Sequence, residues 1–517
     1  MIRIIILMLL SLNSFSQQGI LGANVSDGLP RNPSLLTWTK VHEERFLNAM
    51  DENHVHYTSD FTTSTSNLSA VSGSAPSIAG GNLVISGSVK YRSTSNPIAA
   101  WTTAELTIAA MGSAGDSNKL GPCIIKDATH YIAAVYDKIG GRVQVVQNDI
   151  VLISYSLSLN TNNLKIYLLV SGNSLSFFYK ESGGDLTCGF VVPSVSLVDM
   201  KSVDMTEYKY GVYCLQSGGT TTHNVTSLRG AASGGVGLYN DKIVRNEDGS
   251  EFLLAGKLIM TADISNPSPL GGNSYIDINS VVLSIDTATF DVEIIGRFYF
   301  DRSSKRLGGA DLHVIFNGSQ WLITYVPVDN TGGVDGGTDY YFYLDYADLF
   351  TENVIDEADL THITFNGTSD AYDVSTRLIG GEYKSAVTRG FGAGRAGLYS
   401  GTDFDNMDFV SGYNDGIFYE SGGWIRYRHH WYLMYSTFGN TKQIVLSYPD
   451  LNLVGYMDLP FITDTYIPGY DWYCKQVNGT TIYYMIGFDT NLFLGFPWAL
   501  GRLVVWKATE TKNGYEF

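Results

Sequence analysis

The chain is expected to be all-β, an N-terminal β-sandwich followed by a five-bladed β-propeller, and three observations carry that expectation. Its composition favours strands and turns, with 55 glycines and 34 tyrosines in 517 residues. Its first half shows short alternating strands recurring at about ten to fifteen residues, with Gly, Asn or Ser between them. Its second half repeats one unit: a carboxylate, an aromatic-rich strand, a tight turn and a second strand.

In chain order, M-I-R-I-I-I-L-M-L-L-S-L-N-S-F-S-Q-Q carries Arg3, an apolar run from Ile4 to Leu12 and small residues at Ser14 and Ser16. That pattern predicts a secretory signal over residues 1–16, the alternative being a buried first strand. The run is too short to span a bilayer. A cleaved signal places the mature protein in the periplasm or outside the cell; a virion location is the alternative. Residues 17–45 read as a linker containing Gly28, Pro30 and Pro33, with Val41 to Met50 as one or two helical turns. Residues 46–228 hold strands such as G-G-N-L-V-I-S-G-S-V-K-Y-R, Y-I-A-A-V-Y-D and L-K-I-Y-L-L-V, an antiparallel sandwich. The stretch Arg229 to Gly237, rich in Ser and Gly, reads as a joint, and the propeller is expected over 234–517.

A 44% hydrophobic and 16% charged composition suits packed domains, and the length calls for more than one core. Net charge of −18 without a Lys/Arg run excludes nucleic acid and anionic membrane surfaces as natural partners, since neither meets a basic footprint. A neutral glycan fits better. Cys123, Cys188, Cys214 and Cys474 match no zinc spacing; one disulfide among the first three is compatible with the sequence.

The repeated units begin at Asp241, Asp311, Glu382, Glu420 and Asp471. Third strands follow as V-V-L-S-I-D-T, F-Y-L-D-Y-A-D-L, I-V-L-S-Y-P-D-L and the terminal L-V-V-W-K-A-T. In a propeller the innermost strands line a central channel, so acids at their starts converge on one mouth. Crowded carboxylates shift one another's pKa values, leaving one protonated as an acid and another ionised as a base. The plainer alternative is that these residues end turns and bind water.

Asp311 to Tyr325, and Glu420 to Ser436 with Ser447, Pro449, Asp450 and Leu451, resemble the five-bladed glycoside hydrolases of family 43 and its relatives. The resemblance implies inverting hydrolysis with Asp241 as general base, Asp311 as the tuning aspartate and a Glu as general acid. Blade order selects Glu382 for the acid and the local match selects Glu420. Lys242 and Leu312 stand where that family usually has Pro, and E-S-G replaces its E-G-P. In the first half, D-F-T-T-S followed by G-G-N-L-V-I-S-G resembles laminin-G-like, concanavalin-type jelly rolls, which bind carbohydrate or accompany a catalytic domain.

Trp424 and Trp472, close behind acids, are candidate sugar platforms; Arg426 and Asp471 complete the expected substrate-binding set. No cofactor is expected. The loop holding Asp329, Asp335 and Asp339 could take Ca²⁺ through oxygen ligands or be a plain surface loop. The string Gly392 to Gly397 fits a dinucleotide fingerprint only as letters, because strand, helix and distal acid are missing. Two functions follow: a secreted glycoside hydrolase, favoured by the signal, or a non-catalytic glycan-binding or adhesion protein such as a phage tail or virion component, favoured by the missing prolines.

Overall fold

A computed structural model describes residues 33–509 apart from short internal stretches, the longest being 193–204, 265–277, 328–338, 460–469 and 490–501. The signal, Asp329, Asp335 and Gly392 to Gly394 lie outside the described residues. The described residues form strands and a few 3-10 turns, with no α-helix, and no helix long and apolar enough to cross a membrane.

Residues 50–233 form two antiparallel sheets on one shared core. Alternation explains the packing: Leu83, Ile85, Leu106 and Ile108 point inward from one sheet, and Val89, Tyr91, Leu120 and Ile124 from the other. Each is essentially inaccessible to solvent, and such a side chain contributes about 1.5–3 kcal/mol. Cys123, Cys188, Cys214 and Cys474 are all free, so the disulfide compatible with the sequence is not formed. The expected joint is partly strand, since Thr222–Ser233 runs unbroken through Arg229.

The second half is all-β in a propeller-like arrangement. Four mainly antiparallel sheets are completed within it, with innermost strands Leu238–Ile243, Gly309–Phe316 (flanked by Arg245–Asn246, which pairs parallel to it), Ala371–Ile379 and Tyr419–Tyr427. A further sheet starts at Tyr470–Val477 and is finished by Thr39–Arg45, which pairs antiparallel with Arg502–Thr509. Apolar clusters join each sheet to the next in chain order and the last back to the first, where Tyr473, Ile486 and Val505 meet Leu238, Met260 and Val281.

Thr39–Arg45 is a correction. Read from sequence it belonged to a linker with a helical turn; it is a strand because the edge of Arg502–Thr509 offers a full row of backbone partners. Tertiary pairing overrides local propensity in this way.

The sandwich does not hang loosely from the ring. Arg297, wholly buried, donates from Nε to Asp51 Oδ2 at 2.7 Å, from Nη1 to Asn279 Oδ1 at 3.2 Å, and from Nη2 to the Ser233 carbonyl. Burial alone would raise the Asp51 pKa, but Arg297 and His54 hold it down to about 2. Beside this pair, His56 bridges Tyr210 of the sandwich at 2.6 Å and Glu352 of the ring at 2.8 Å, and Tyr299 donates to Glu352 at 2.8 Å.

Candidate active site

Near the start of four innermost strands the pairing register slips, between Tyr239 and Lys242, Ala310 and His313, Tyr372 and Ser375, and Glu420 and Gly423. The extra residues are Asn240 with Asp241, Asp311 with Leu312, Asp373 with Val374, and Ser421 with Gly422. A β-bulge bends its strand and re-aims the side chain it carries. Asp311 and Asp373 reach this geometry through left-handed backbone, at φ 54° and 56°, a conformation Asp tolerates better than most residues. Asp311 and Asp373 therefore take the first bulge position in two successive sheets, and Asp241 takes the second in the sheet before them.

The Asp373 carboxyl faces Asp311 closely enough to raise its pKa, both by its charge and as a hydrogen-bonding neighbour. Burial, then the neighbouring charges of Asp373 and Asp263, push Asp311 well above the ordinary carboxylate range. Asp263 accepts from the Asp311 amide at 3.0 Å and from Ser280 Oγ at 2.7 Å, and Thr388 Oγ1 donates to Asp373 at 3.1 Å. Asp339, also buried, has its carboxyl pushed up by burial and by Asp373. Asp311 itself is only half-buried, so the pair retains an opening.

Asp241 differs in character. It has no exposed surface, and neither carboxyl oxygen has a hydrogen-bond partner in another described residue. Burial raises its pKa well above the ordinary value, with Lys242 opposing and Asp471 adding to the rise. Lys242 also faces Asp311 electrostatically, and its Nζ donates to the Gly422 carbonyl at 3.0 Å. Gly422 has to be small: a Cβ there would lie 2.8 Å from the Tyr435 ring.

An acid with a raised folded pKa costs stability above its unfolded pKa, and the cost grows until pH reaches the folded value. Asp241→Asn is therefore expected to raise the melting temperature at pH 7, the gain shrinking as pH falls towards about 4 and vanishing below it. Thermal unfolding at the two pH values checks this; equal melting temperatures at both would contradict it.

Behind the aspartates the axis is closed by polar side chains. Asp471 accepts from Arg245 Nη2 at 2.8 Å, the Ile243 amide at 2.8 Å and the Trp472 amide at 2.7 Å, with Arg377 Nη2 at 3.6 Å. Burial would raise Asp471, but Arg245 and Arg377 bring it below the usual value, so it is an ionised clamp. Arg377 Nη1 also contacts His313 Nε2 at 2.7 Å. Burial and Arg245 lower Arg377 to about 9, and burial with Arg377 keeps His313 neutral.

The expected site residues divide accordingly. Asp241 and Asp311 share a neighbour, since the Lys242 charge acts on both. Asp471 is buried and held by Arg245 and two backbone amides, so it is not presented to a substrate. Glu382 does not join: it opens the second strand of its sheet, half-buried, bound by Lys384 at 2.5 Å and Ser400 at 2.7 Å. Glu420 lies in Tyr419–Tyr427 opposite Ser436, and its side chain falls outside the described residues. Trp424 is 2% exposed, donating to the Ser375 carbonyl at 2.8 Å, and Trp472 is 3% exposed against Trp38. Both are core residues, because packing between sheets consumes the ring faces a sugar would need. Arg426 is exposed at the far end of its strand, over the Trp431 ring at 5.5 Å, away from the acids. Among the described residues no group of three or more His, Cys, Asp or Glu is arranged to hold a metal ion.

Asp373 was missed. The signal existed, since A-Y-D-V-S-T-R-L-I precedes the Gly380-Gly381 turn just as A-D-L-H-V-I-F precedes Asn317-Gly318. The unit's head had been placed after the turn, at Glu382, instead of before it.

The chain matches no protein-family model and no curated protein sequence. Solved structures resemble parts of it. The β-xylosidase RS223 is 14% identical over 54% of this chain and 94% of its own, with a TM-score of 0.38. A family 117 glycoside hydrolase from the marine bacterium Zobellia galactanivorans is 11% identical over 53% and 84%, with a TM-score of 0.37. The carbohydrate-binding module CBM66 from Bacillus subtilis is 14% identical over 31% and 94%, with a TM-score of 0.24. Likenesses this low concern fold alone and carry no argument about chemistry.

Proposed function

We propose that the chain is a secreted glycoside hydrolase whose five ring sheets are the blades of a propeller, with the first unit a concanavalin-type jelly roll that accompanies it. One observation supports this most: three successive sheets each carry an aspartate in the bulge near the start of the innermost strand, Asp311 and Asp373 at its first residue and Asp241 at its second. Hydrolysis of a glycosidic bond needs one carboxyl to protonate the leaving oxygen and another to take a proton from attacking water. Asp241, held protonated by burial, suits the donor, the reverse of the base role that the family resemblance implies. The ionised member of the Asp311 and Asp373 pair suits the base. The donor's proton goes to the leaving oxygen, water oxygen bonds to the anomeric carbon, and the water proton passes to the pair.

A non-catalytic glycan-binding protein is the second reading, and the absence of any exposed surface on Asp241 favours it. The deciding experiment incubates the full chain with plant, algal and host glycans and follows anomeric protons by NMR. Products of inverted configuration, lost in Asp241→Asn, are expected. Binding without product on every glycan would favour the second reading.

A further inference from the structure

We infer that the seam between the sandwich and the first ring sheet holds a second saccharide site, a cleft for one neutral pyranose unit, separate from the aspartate cluster. The inference rests on the glycan reading above and extends it to a different surface. Strand Met50–Ser59 of the sandwich lies against the sheet containing Lys257–Ile264 and Asn279–Ile285, and between them is a cleft of about 450 Å³. That volume lies within the usual range for small-molecule sites, which favour domain seams.

The lining combines the two surfaces a sugar ring presents. Leu254, Ile295 and Phe350 supply an apolar wall, the last an aromatic ring suited to the C–H face of a pyranose. His54, Lys257, Ser284 and Glu293 supply polar atoms. His54 commits Nδ1 to Asp51 at 2.8 Å, which leaves Nε2 for a ligand. Asn53 Nδ2 fixes Glu293 Oε1 at 3.0 Å and the Ile294 carbonyl at 2.7 Å, so the carboxylate is held in place. Lys257 Nζ stands 3.4 Å from Glu293, a long contact that leaves ammonium protons to donate.

Ser284 supplies the independent observation. The residue lines the cleft and is 3% exposed, and its buried hydroxyl has no hydrogen-bond partner among the described residues. A buried hydroxyl left unpaired is unfavourable, and a ligand hydroxyl, which both donates and accepts, would satisfy it. The charges of Lys257 and Glu293 cancel, which selects a neutral ligand over an acidic one.

Titration calorimetry of the full chain carrying Asp311→Asn, with D-xylose, D-glucose and D-galactose as probes, tests the assignment. At least one probe is expected to bind, and Ser284→Ala or Phe350→Ala to weaken it by about tenfold. Lys257→Met, on the exposed rim, gives the same reading without disturbing the core. No binding of any probe, or binding indifferent to all three substitutions, overturns the cleft. Binding that depends on Ser284 in a protein that hydrolyses no glycan keeps the cleft and removes the hydrolase; hydrolysis without such binding does the reverse.

Discussion

Asp311→Asn is expected to lower hydrolysis by about 10²–10⁴-fold, the usual worth of a positioned proton-transfer group. Asp373→Asn should fall in the same range, because the Asp373 carboxyl is the charge that most raises Asp311. The residual activity of Asp373→Asn carries the more specific signature. Removing the Asp373 charge takes away a cause that raises Asp311, so the acidic limb of kcat/KM against pH should move to lower pH. An unmoved limb would show that the carboxyls do not act as a pair. Glu382→Gln, by contrast, touches a carboxylate tied to Lys384 and should leave the rate unchanged.

Arg297→Met is expected to destabilise the fold by about 3–5 kcal/mol, since it leaves Asp51 buried without its countercharge. Adding Asp51→Leu should recover much of the loss, because an apolar pair of similar volume can replace a buried ion pair. Denaturant titration of both variants measures the difference; equal losses would mean that packing, and not charge, sets the cost. The acid response follows with a definite sign. Asp51 has a folded pKa depressed from 3.8 to about 2, so it contributes stability above the unfolded value. That contribution, about 2–3 kcal/mol, disappears as pH falls from 3.8 towards 2. Arg297→Met should show much less of it.

Much of the strand content was legible because each unit in the second half repeats a grammar of acid, strand, turn and strand that only pleated neighbours satisfy. Asn279–Ile285, Tyr340–Asp345, Lys442–Ser447 and Arg502–Thr509 are the third strands read from V-V-L-S-I-D-T and its counterparts. What was not legible depends on distant partners. Thr39–Arg45 has no strand signature of its own and exists through Arg502–Thr509. Trp424 and Trp472 sit close behind acids in sequence, yet alternation turns both into the spaces between sheets. Asp373 was obscured because Glu382, past the turn, is the more conspicuous acid, and only the register slip between Tyr372 and Ser375 distinguishes their positions.

The pairing of Thr39–Arg45 with Arg502–Thr509 also sets an order of events during synthesis. The sandwich strands from Met50 to Ser233 find all their sheet partners within that segment, so they can assemble while the chain is still emerging. Thr39–Arg45 leaves the ribosome before any of them and must wait, unpaired, for the last strand of the ring. Until Arg502–Thr509 arrives the ring has open edges of the kind that invite strand addition from other chains. Completion of that last sheet thus waits for Arg502–Thr509, and nascent chains that stop before it leave Thr39–Arg45 without its partner strand.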